Sequence, residues 1–261
     1  MTLIRTPAVA GQFYSGNARE LRATVTTLLA EAQERNTPAP KALIVPHAGY
    51  IYSGPVAANA YARLQPFADQ YQRVILLGPC HRMPVFGLAL SSADAFRTPL
   101  GDVPVDKSAI AGLHVRDVDI FDASHRSEHS LEVHLPFLQS VLGEFSVVPI
   151  VVGDAAPELV SRVLEALWGG PETLIVVSSD LSHYLHYDQA NAIDAVTCQA
   201  IENLDAGRID HDMACGAIPV AGLLIAAKRH NMAVTTLDLR NSGDIAGDRD
   251  FVVGYGAWMF V

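Results

Sequence analysis

Three short apolar runs in this chain each end shortly before residues that can bind metals or move protons. These are residues 43–45 before His47, residues 73–77 before His81, and residues 173–177 before Asp180 and His183. Continuous apolar runs of this length predict strands that are buried on both faces, as in a parallel sheet. Because open α/β sheets bind ligands at the carboxyl ends of their parallel strands, the three runs predict one shared site.

Helical and strand-like segments alternate along the chain. Amphipathic stretches such as residues 18–35 and 155–167 separate the apolar runs. This alternation predicts an α/β fold with a mostly parallel central sheet and helices on both faces. No linker or low-complexity block interrupts the sequence, so residues 1–261 are expected to form a single domain.

Two local features refine this expectation. Pro46 should end the first apolar run, which places His47 in a loop of Gly, Tyr and Ser that lasts until a helix begins at Pro55. Residues 96–105 contain the Thr, Pro and Gly pattern of a loop or a β-hairpin.

Composition argues against several classes of function. The 18 basic and 28 acidic residues give a formal charge of −10, and no basic cluster is present, so neither nucleic acid nor an anionic membrane surface is an expected partner. The three cysteines are widely spaced, which is typical of a reducing compartment. Without a secretory signal or an apolar run of roughly 20 residues, the expected location is the cytoplasm.

The candidate site residues suit a transition metal. Imidazole binds zinc, iron and copper, and a carboxylate such as that of Asp180 widens the choice toward iron and manganese. Cys215 could add a thiolate, although a single free cysteine is more often a small buried hydrophobe.

The segment 124–139 carries a dense group of ionisable residues: His125, Glu128, His129, Glu132 and His134. These side chains either cover a solvated helix face or contribute to the site, and Glu128 and His129 are the candidates for reaching it.

Several common catalytic motifs are absent. The sequence has no G-x-S-x-G elbow, no Walker motif and no G-x-G-x-x-G fingerprint. Residues 179–183 do contain Ser, Asp and His, but a catalytic triad is defined by geometry and not by closeness in sequence. The sequence therefore favours a metal site over a nucleophilic or dinucleotide-binding one.

Four motifs together resemble the Memo family, whose prokaryotic members are called AmmeMemoRadiSam system protein B. The resemblance extends over nearly the whole chain, and its motifs are residues 47–54 (HAGYIYSG), 78–81 (GPCH), 128–138 (EHSLEVHLPFL) and 178–184 (SSDLSHY). It implies a fold similar to that of the class III extradiol dioxygenases, which are non-haem iron enzymes. It also implies a functional link to a radical-SAM protein and to AmmeMemoRadiSam protein A.

The resemblance also implies roles for individual residues. Carried onto this sequence, the metal position corresponds to His47, His81 and Cys215. His183 corresponds to an acid/base histidine near the metal, with Asp180 and His129 beside it. A thiolate ligand in place of a carboxylate shifts the metal preference toward copper(I) or zinc.

Three functional hypotheses follow. The first is a redox enzyme that holds iron or copper and uses His183 to move a proton. The second is a non-catalytic module that binds a peptide or small molecule in the same cleft through its tyrosines. The third is a zinc hydrolase in which Asp180 or His183 activates a metal-bound water.

Overall fold

A computed structural model describes residues 2–32, 37–245 and 247–261. The strands of the described residues are β1 (Ile4–Arg5), β2 (Ala42–Val45), β3 (Arg73–Pro79), β4 (Leu88–Leu90), β5 (Ala95–Thr98), β6 (Gly101–Pro104), β7 (Val118–Ile120), β8 (Ser146–Val152), β9 (Thr173–Ser178), β10 (His183–Leu185), β11 (Val234–Asn241) and β12 (Val252–Phe260).

The helices of the described residues are α1 (Ala18–Glu31), α2 (Tyr50–Tyr61), α3 (Lys107–Gly112), α4 (Asp122–Arg126), α5 (Leu135–Val141), α6 (Pro157–Leu167), α7 (Tyr187–Glu202), α8 (Ala217–Arg229) and α9 (Ser242–Ile245). Three 3₁₀ segments, at Ala62–Gln70, Glu132–His134 and Ala206–Arg208, complete the helical structure. The predicted end of the first helix at Arg35 lies outside the described residues. Within the described ranges, no helix has the length and apolar character needed to cross a membrane.

Among the described residues the central sheet has nine strands and is mixed, so the fold is α/β and the prediction of a mostly parallel sheet is not confirmed. Its order is β10-β12-β2-β9-β3-β8-β4-β7, with β11 beside β12. The inner strands β2, β9, β3 and β8 are parallel, whereas β12 runs antiparallel to β2 and to β11, and β4 runs antiparallel to β8. β11 and β12 are joined only by residues 242–251, and so short a connection favours an antiparallel pair over a crossover.

Helices cover both faces of this sheet, as predicted. On one face α1, α2 and α5 pack through residues such as Leu21, Val56 and Leu138. On the other face α6 and α8 pack through residues such as Val160 and Leu223. Successive strand residues point to opposite faces, which is why the inner strands are apolar at nearly every position. The predicted hairpin is also present, as β5 and β6 beside β1 in a small second sheet.

Strand order brings the predicted site residues to one edge. β2, β9 and β3 are neighbours, and Val45 at the end of β2 lies opposite Ser178 at the end of β9. The segments that follow these strands must therefore leave the sheet side by side.

The chain beyond His47 forms a helix earlier than the sequence predicts. The N–H groups of Tyr52 and Ser53 donate to Gly49 O, so α2 begins at Tyr50 and contains Pro55 in its interior. The connection between β2 and α2 is consequently only four residues long, 46–49, and His47 lies within it.

A buried ion pair between Arg5 and Glu132 connects residues 2–17, the N-terminal arm, to the segment 124–139. The carboxylate of Glu132 is fully buried and accepts hydrogen bonds from Arg5, from Tyr14 and from the N–H groups of Ala8 and Val9. Because so many donors converge on one carboxylate, its desolvation is compensated in the folded state.

Replacing Glu132 with Ala should lower the free energy of unfolding by about 3–5 kcal/mol, because Arg5 would then be a buried charge without its partner. Urea denaturation measures this loss. The matched control is Asp102→Ala, which removes a carboxylate from the exposed pair with Arg97 and should leave stability nearly unchanged. Equal losses in the two variants would contradict the assigned role of Glu132.

Candidate metal centre

Three imidazoles meet at the edge formed by β2, β9 and β3. His47 follows β2, His81 follows β3, and His129 lies in the segment between α4 and α5. One ring nitrogen from each lies within 4.8 Å of the others. The ring centroids are 5.1 Å apart for His47 and His81, and 4.6 Å apart for His81 and His129. We call these residues the three-histidine cluster.

The tautomer of His47 is set by Ser178. The Ser178 hydroxyl donates its one proton to Ser130 O, so its oxygen can only accept from the ring nitrogen His47 Nδ1, 2.6 Å away. His47 is only 2% exposed, and burial lowers its pKa well below the usual value, so the ring is neutral. With the proton on Nδ1, the lone pair is on Nε2, the nitrogen on the far side of the ring from Ser178.

The hydroxyl oxygen of Ser178 also fixes the tautomer of His134. His134 Nε2 lies 2.8 Å from Ser178 Oγ and must be the donor for the same reason. Burial lowers the pKa of His134 to about 3, so its Nδ1 accepts a hydrogen bond from the Tyr61 hydroxyl at 2.8 Å. A chain of hydrogen bonds thus runs from Tyr61 through His134 to Ser178, which in turn orients His47.

Glu128 orients His81 in the same manner. Its Oε1 lies 2.9 Å from His81 Nδ1, and its Oε2 accepts the His81 N–H at 2.6 Å. Burial by itself would raise the pKa of Glu128, but the hydrogen bonds from His81 and from nearby N–H groups outweigh it and lower the pKa to about 2. Because an ionised carboxylate only accepts, His81 Nδ1 carries a proton, so Nε2 is the nitrogen that can bind a metal ion.

His129 completes the cluster from the opposite side. Its ring makes an edge contact with Phe13 of the N-terminal arm, at 4.9 Å between centroids. Burial lowers the pKa of His129 to about 4, so this ring is neutral as well. His129 Nδ1 is buried and, among the described residues, has no hydrogen-bond partner, although Glu128 Oε1 is 3.3 Å away.

This donor set fits a transition-metal ion. Three imidazoles with ring nitrogens this close together are stabilised by a cation that their lone pairs can bind. The hydrogen bonds from His47 to Ser178 and from His81 to Glu128 are the outer contacts that orient histidine ligands in metal sites. Imidazole ligands suit zinc, iron and copper.

Cys215 and Asp180 lie against His47. Cys215 Sγ is 3.4 Å from His47 Nε2 and accepts a hydrogen bond from Asp180 N–H at 3.3 Å. Asp180 Oδ1 accepts the His47 N–H at 2.7 Å, and Oδ2 is 4.0 Å from His47 Nε2. Burial raises the pKa of Asp180 to about 7, and burial together with the Asp180 charge raises the pKa of the Cys215 thiol.

His183 is held in the segment that follows β9. Its Nδ1 donates to Leu181 O at 2.8 Å, which leaves the lone pair on Nε2. The segment is tied to β12, because Leu181 N–H donates to Gly254 O and Gly254 N–H donates to Ser182 O. Burial lowers the pKa of His183, and the charge of His183 in turn contributes to the lowered pKa of His47.

The structure thus brings together most of the site residues that the sequence predicts. His47, His81 and His129 form the cluster, and Asp180 and Cys215 contact His47. Their roles as ligands or as acid/base groups stay predictions, as does that of His183. The two open candidates of the segment 124–139, Glu128 and His129, both reach the site.

Sequence reasoning missed the hydrogen-bond network behind His47. Ser178 is the last residue of β9, and a small polar residue at the end of a buried strand is a signal that the sequence does contain. The participation of His134 and Tyr61 has no comparable signal, because only the packing of α2 against α5 brings them together.

Comparison with known proteins agrees with these motifs. The profile of the family described as "Memo-like protein" matches residues 5–259. The chain belongs to the Memo family. MEMO1 family proteins of Methanococcoides burtonii and Methanosarcina acetivorans are each 38% identical to it, over 97% of this chain and 98% of theirs. A MEMO1 family protein of Sulfolobus acidocaldarius is 34% identical over the same shares.

A solved structure supports the fold of this Memo-family chain. An uncharacterized protein of Escherichia coli K12 superposes with a TM-score of 0.54 over 84% of this chain and 98% of its own, at 13% identity. At this identity the likeness concerns the fold alone. The expected similarity to class III extradiol dioxygenases stays a prediction.

The buried neutral histidines should make the protein sensitive to acid. A histidine whose folded pKa lies below its unfolded pKa adds stability that is complete above about pH 6.5 and is lost as the pH falls toward the folded pKa. His134→Gln cannot titrate, so its loss of unfolding free energy between pH 7 and pH 5 should be smaller than that of the unaltered protein, by roughly 2 kcal/mol.

Urea denaturation at the two pH values measures this difference. His114 is exposed, so His114→Gln is the control and should lose as much stability as the unaltered protein. An unchanged pH dependence in His134→Gln would contradict a buried neutral His134.

Proposed function

We propose that this Memo-family protein binds one transition-metal ion at the three-histidine cluster and is a metal-dependent redox enzyme, with iron or copper as the metal. The observation that carries the proposal is the convergence of His47, His81 and His129, together with the hydrogen bonds that fix the tautomers of the first two. These contacts hold the rings in the orientation that histidine ligands have in metal sites, which favours binding of a cation.

Two residues compete for the third ligand position. His129 offers a neutral nitrogen near those of His47 and His81. Cys215 is the ligand that the family resemblance implies, and its sulfur is 3.4 Å from His47 Nε2. Its raised pKa keeps it a thiol in the metal-free protein, so binding through Cys215 would release a proton, whereas binding through His129 would not.

Asp180 and His183 are the proton-handling groups of the proposal. A bound iron or copper ion would supply one-electron chemistry. His183 is neutral near pH 7 because burial lowers its pKa, and its Nε2 can accept a proton while Leu181 O holds the ring in place. Asp180, with a pKa of about 7, can hold or release a proton at the same pH.

The raised pKa of Asp180 also supports a second candidate. A carboxylate that titrates near pH 7 beside His47 is suited to act as a general base, so a zinc hydrolase is the alternative. The cytoplasmic location and the link to a radical-SAM protein and AmmeMemoRadiSam protein A stay predictions.

Metal analysis tests the proposal. Protein purified anaerobically and reconstituted with iron(II), copper(I) or zinc should bind about one ion. His47→Ala and His81→Ala should each abolish tight binding, because each removes a ligand that is common to both candidate ligand sets. His114→Ala, at an exposed histidine, is the control and should bind as the unaltered protein does. An unaltered protein that takes up none of the three metals would refute the proposal.

Cobalt(II) substitution identifies the third ligand. A thiolate ligand produces an intense near-ultraviolet charge-transfer band that Cys215→Ser would remove and His129→Ala would not, and the buried Cys198→Ser is the matched control. Exposure of the iron or copper form to oxygen, followed by electron paramagnetic resonance, tests the redox part. Turnover of esters or peptides by the zinc form alone would favour the hydrolase.

Glu128→Gln should weaken metal binding by about 10- to 100-fold, because the amide cannot accept the His81 proton and the His81 N–H as the carboxylate does. Competition with a chelator measures the affinity. Glu165→Gln makes the same chemical change in a surface carboxylate that pairs with His230, and it should have no effect on metal affinity. Equal affinities for both variants would argue against Glu128 as the group that orients His81.

A further inference from the structure

A cavity of about 360 Å³ lies beside the three-histidine cluster. Its wall includes His81 and Cys215, and Cys215 Sγ is 3.4 Å from His47 Nε2, so the cavity reaches the cluster on its Cys215 side. The volume lies at the lower end of the range of about 300–1,000 Å³ that small-molecule sites occupy. The cavity is therefore large enough for a small substrate and too small for a folded partner.

The wall is mainly apolar and contains no basic side chain of the lysine or arginine type. Asp154 is the one carboxylate among the described residues that line the cavity, and its side chain is exposed at the cavity mouth, where a ligand can reach it. The apolar part of the wall is formed by Pro79, Met83, Val85, Val152, Ile218 and Pro219.

Backbone contacts hold this wall in place. Cys80 N–H donates to Val152 O at 3.0 Å, and Asp154 N–H donates to Val85 O at 2.8 Å. A Cβ atom at Gly153 would lie 2.1 Å from Val85 O, so only glycine permits this close approach. The wall is thus pre-formed, which reduces the conformational entropy that is lost when a ligand binds.

We propose that this cavity is the substrate site and that the substrate is a small, largely apolar molecule carrying an amine, whose ammonium group pairs with Asp154. As a substrate site the cavity rests on the proposed function, since it is defined by its closeness to the metal centre. In the metal-free protein an anionic probe is disfavoured, because the cavity has a carboxylate at its mouth and no lysine or arginine, and because the chain carries a formal charge of −10.

Three probes of matched size and different charge test the proposal: 2-phenylethylamine, 2-phenylethanol and 3-phenylpropanoate. Calorimetric titration is done on metal-free protein, because the amine could otherwise coordinate the metal. The amine should bind most tightly, the alcohol less tightly and the carboxylate least.

Asp154→Asn should reduce amine affinity by about fivefold, to that of the alcohol, and should leave alcohol affinity unchanged. Ile218→Trp and Met83→Trp each fill the cavity and should abolish binding of all three probes. Ile120→Trp adds the same side chain at an exposed position of β7 and serves as the control, and circular dichroism verifies the fold of every variant.

The inference is overturned if the carboxylate binds as tightly as the amine, if none of the probes binds, or if neither tryptophan variant that folds weakens binding. Metal uptake by the unaltered protein is measured on the same preparation. Metal uptake without amine preference refutes the inference and leaves the proposed function intact. Amine binding without metal uptake refutes the proposed function and leaves the cavity as an amine site.

Discussion

The candidate site depends on the buried carboxylate of Glu128. It accepts hydrogen bonds from the His81 ring and from the N–H groups of His81, His129 and Ser130, while Arg5 holds the carbonyl of the same residue. An ionised carboxylate with 1% exposure is stable only when it is surrounded by donors in this way. Those donors belong to two separate segments, so satisfying this one charge also brings His81 and His129 together.

Ser178 has the same function on the other side of the cluster. Its hydroxyl has one proton and two acceptor positions, and donation to Ser130 O forces both His47 and His134 to be donors. The tautomers of His47 and His81 are thus set by groups outside the cluster. This is the arrangement by which proteins prepare imidazole nitrogens for a metal.

The two sides of the cluster differ in character. The N-terminal arm lies on the His129 side, where Phe13 contacts the ring and Glu132 holds Arg5 and Tyr14. The apolar cavity lies on the side of Cys215 and offers space for a small molecule there. Cys215 lines this cavity, so a ligand bound there as proposed would lie beside its thiol.

The sequence by itself determined which strands are buried and which residues follow them, because apolar runs and proline or glycine breaks are local patterns. It also determined the family, since four motifs match along nearly the whole chain. The sequence did not determine the direction of β12, because that depends on pairing with β2, which is distant in the chain. It did not determine the start of α2 before Pro55 either, because there Tyr50 N–H donates to Phe13 O of a distant segment. Only the tertiary structure decided that Glu128 and His129 reach the site and that His134 orients Ser178. The positions of Glu128, His129 and His134 depend on packing between segments that are distant in sequence. The residue pattern within the segment 124–139 does not indicate which strand ends these side chains contact.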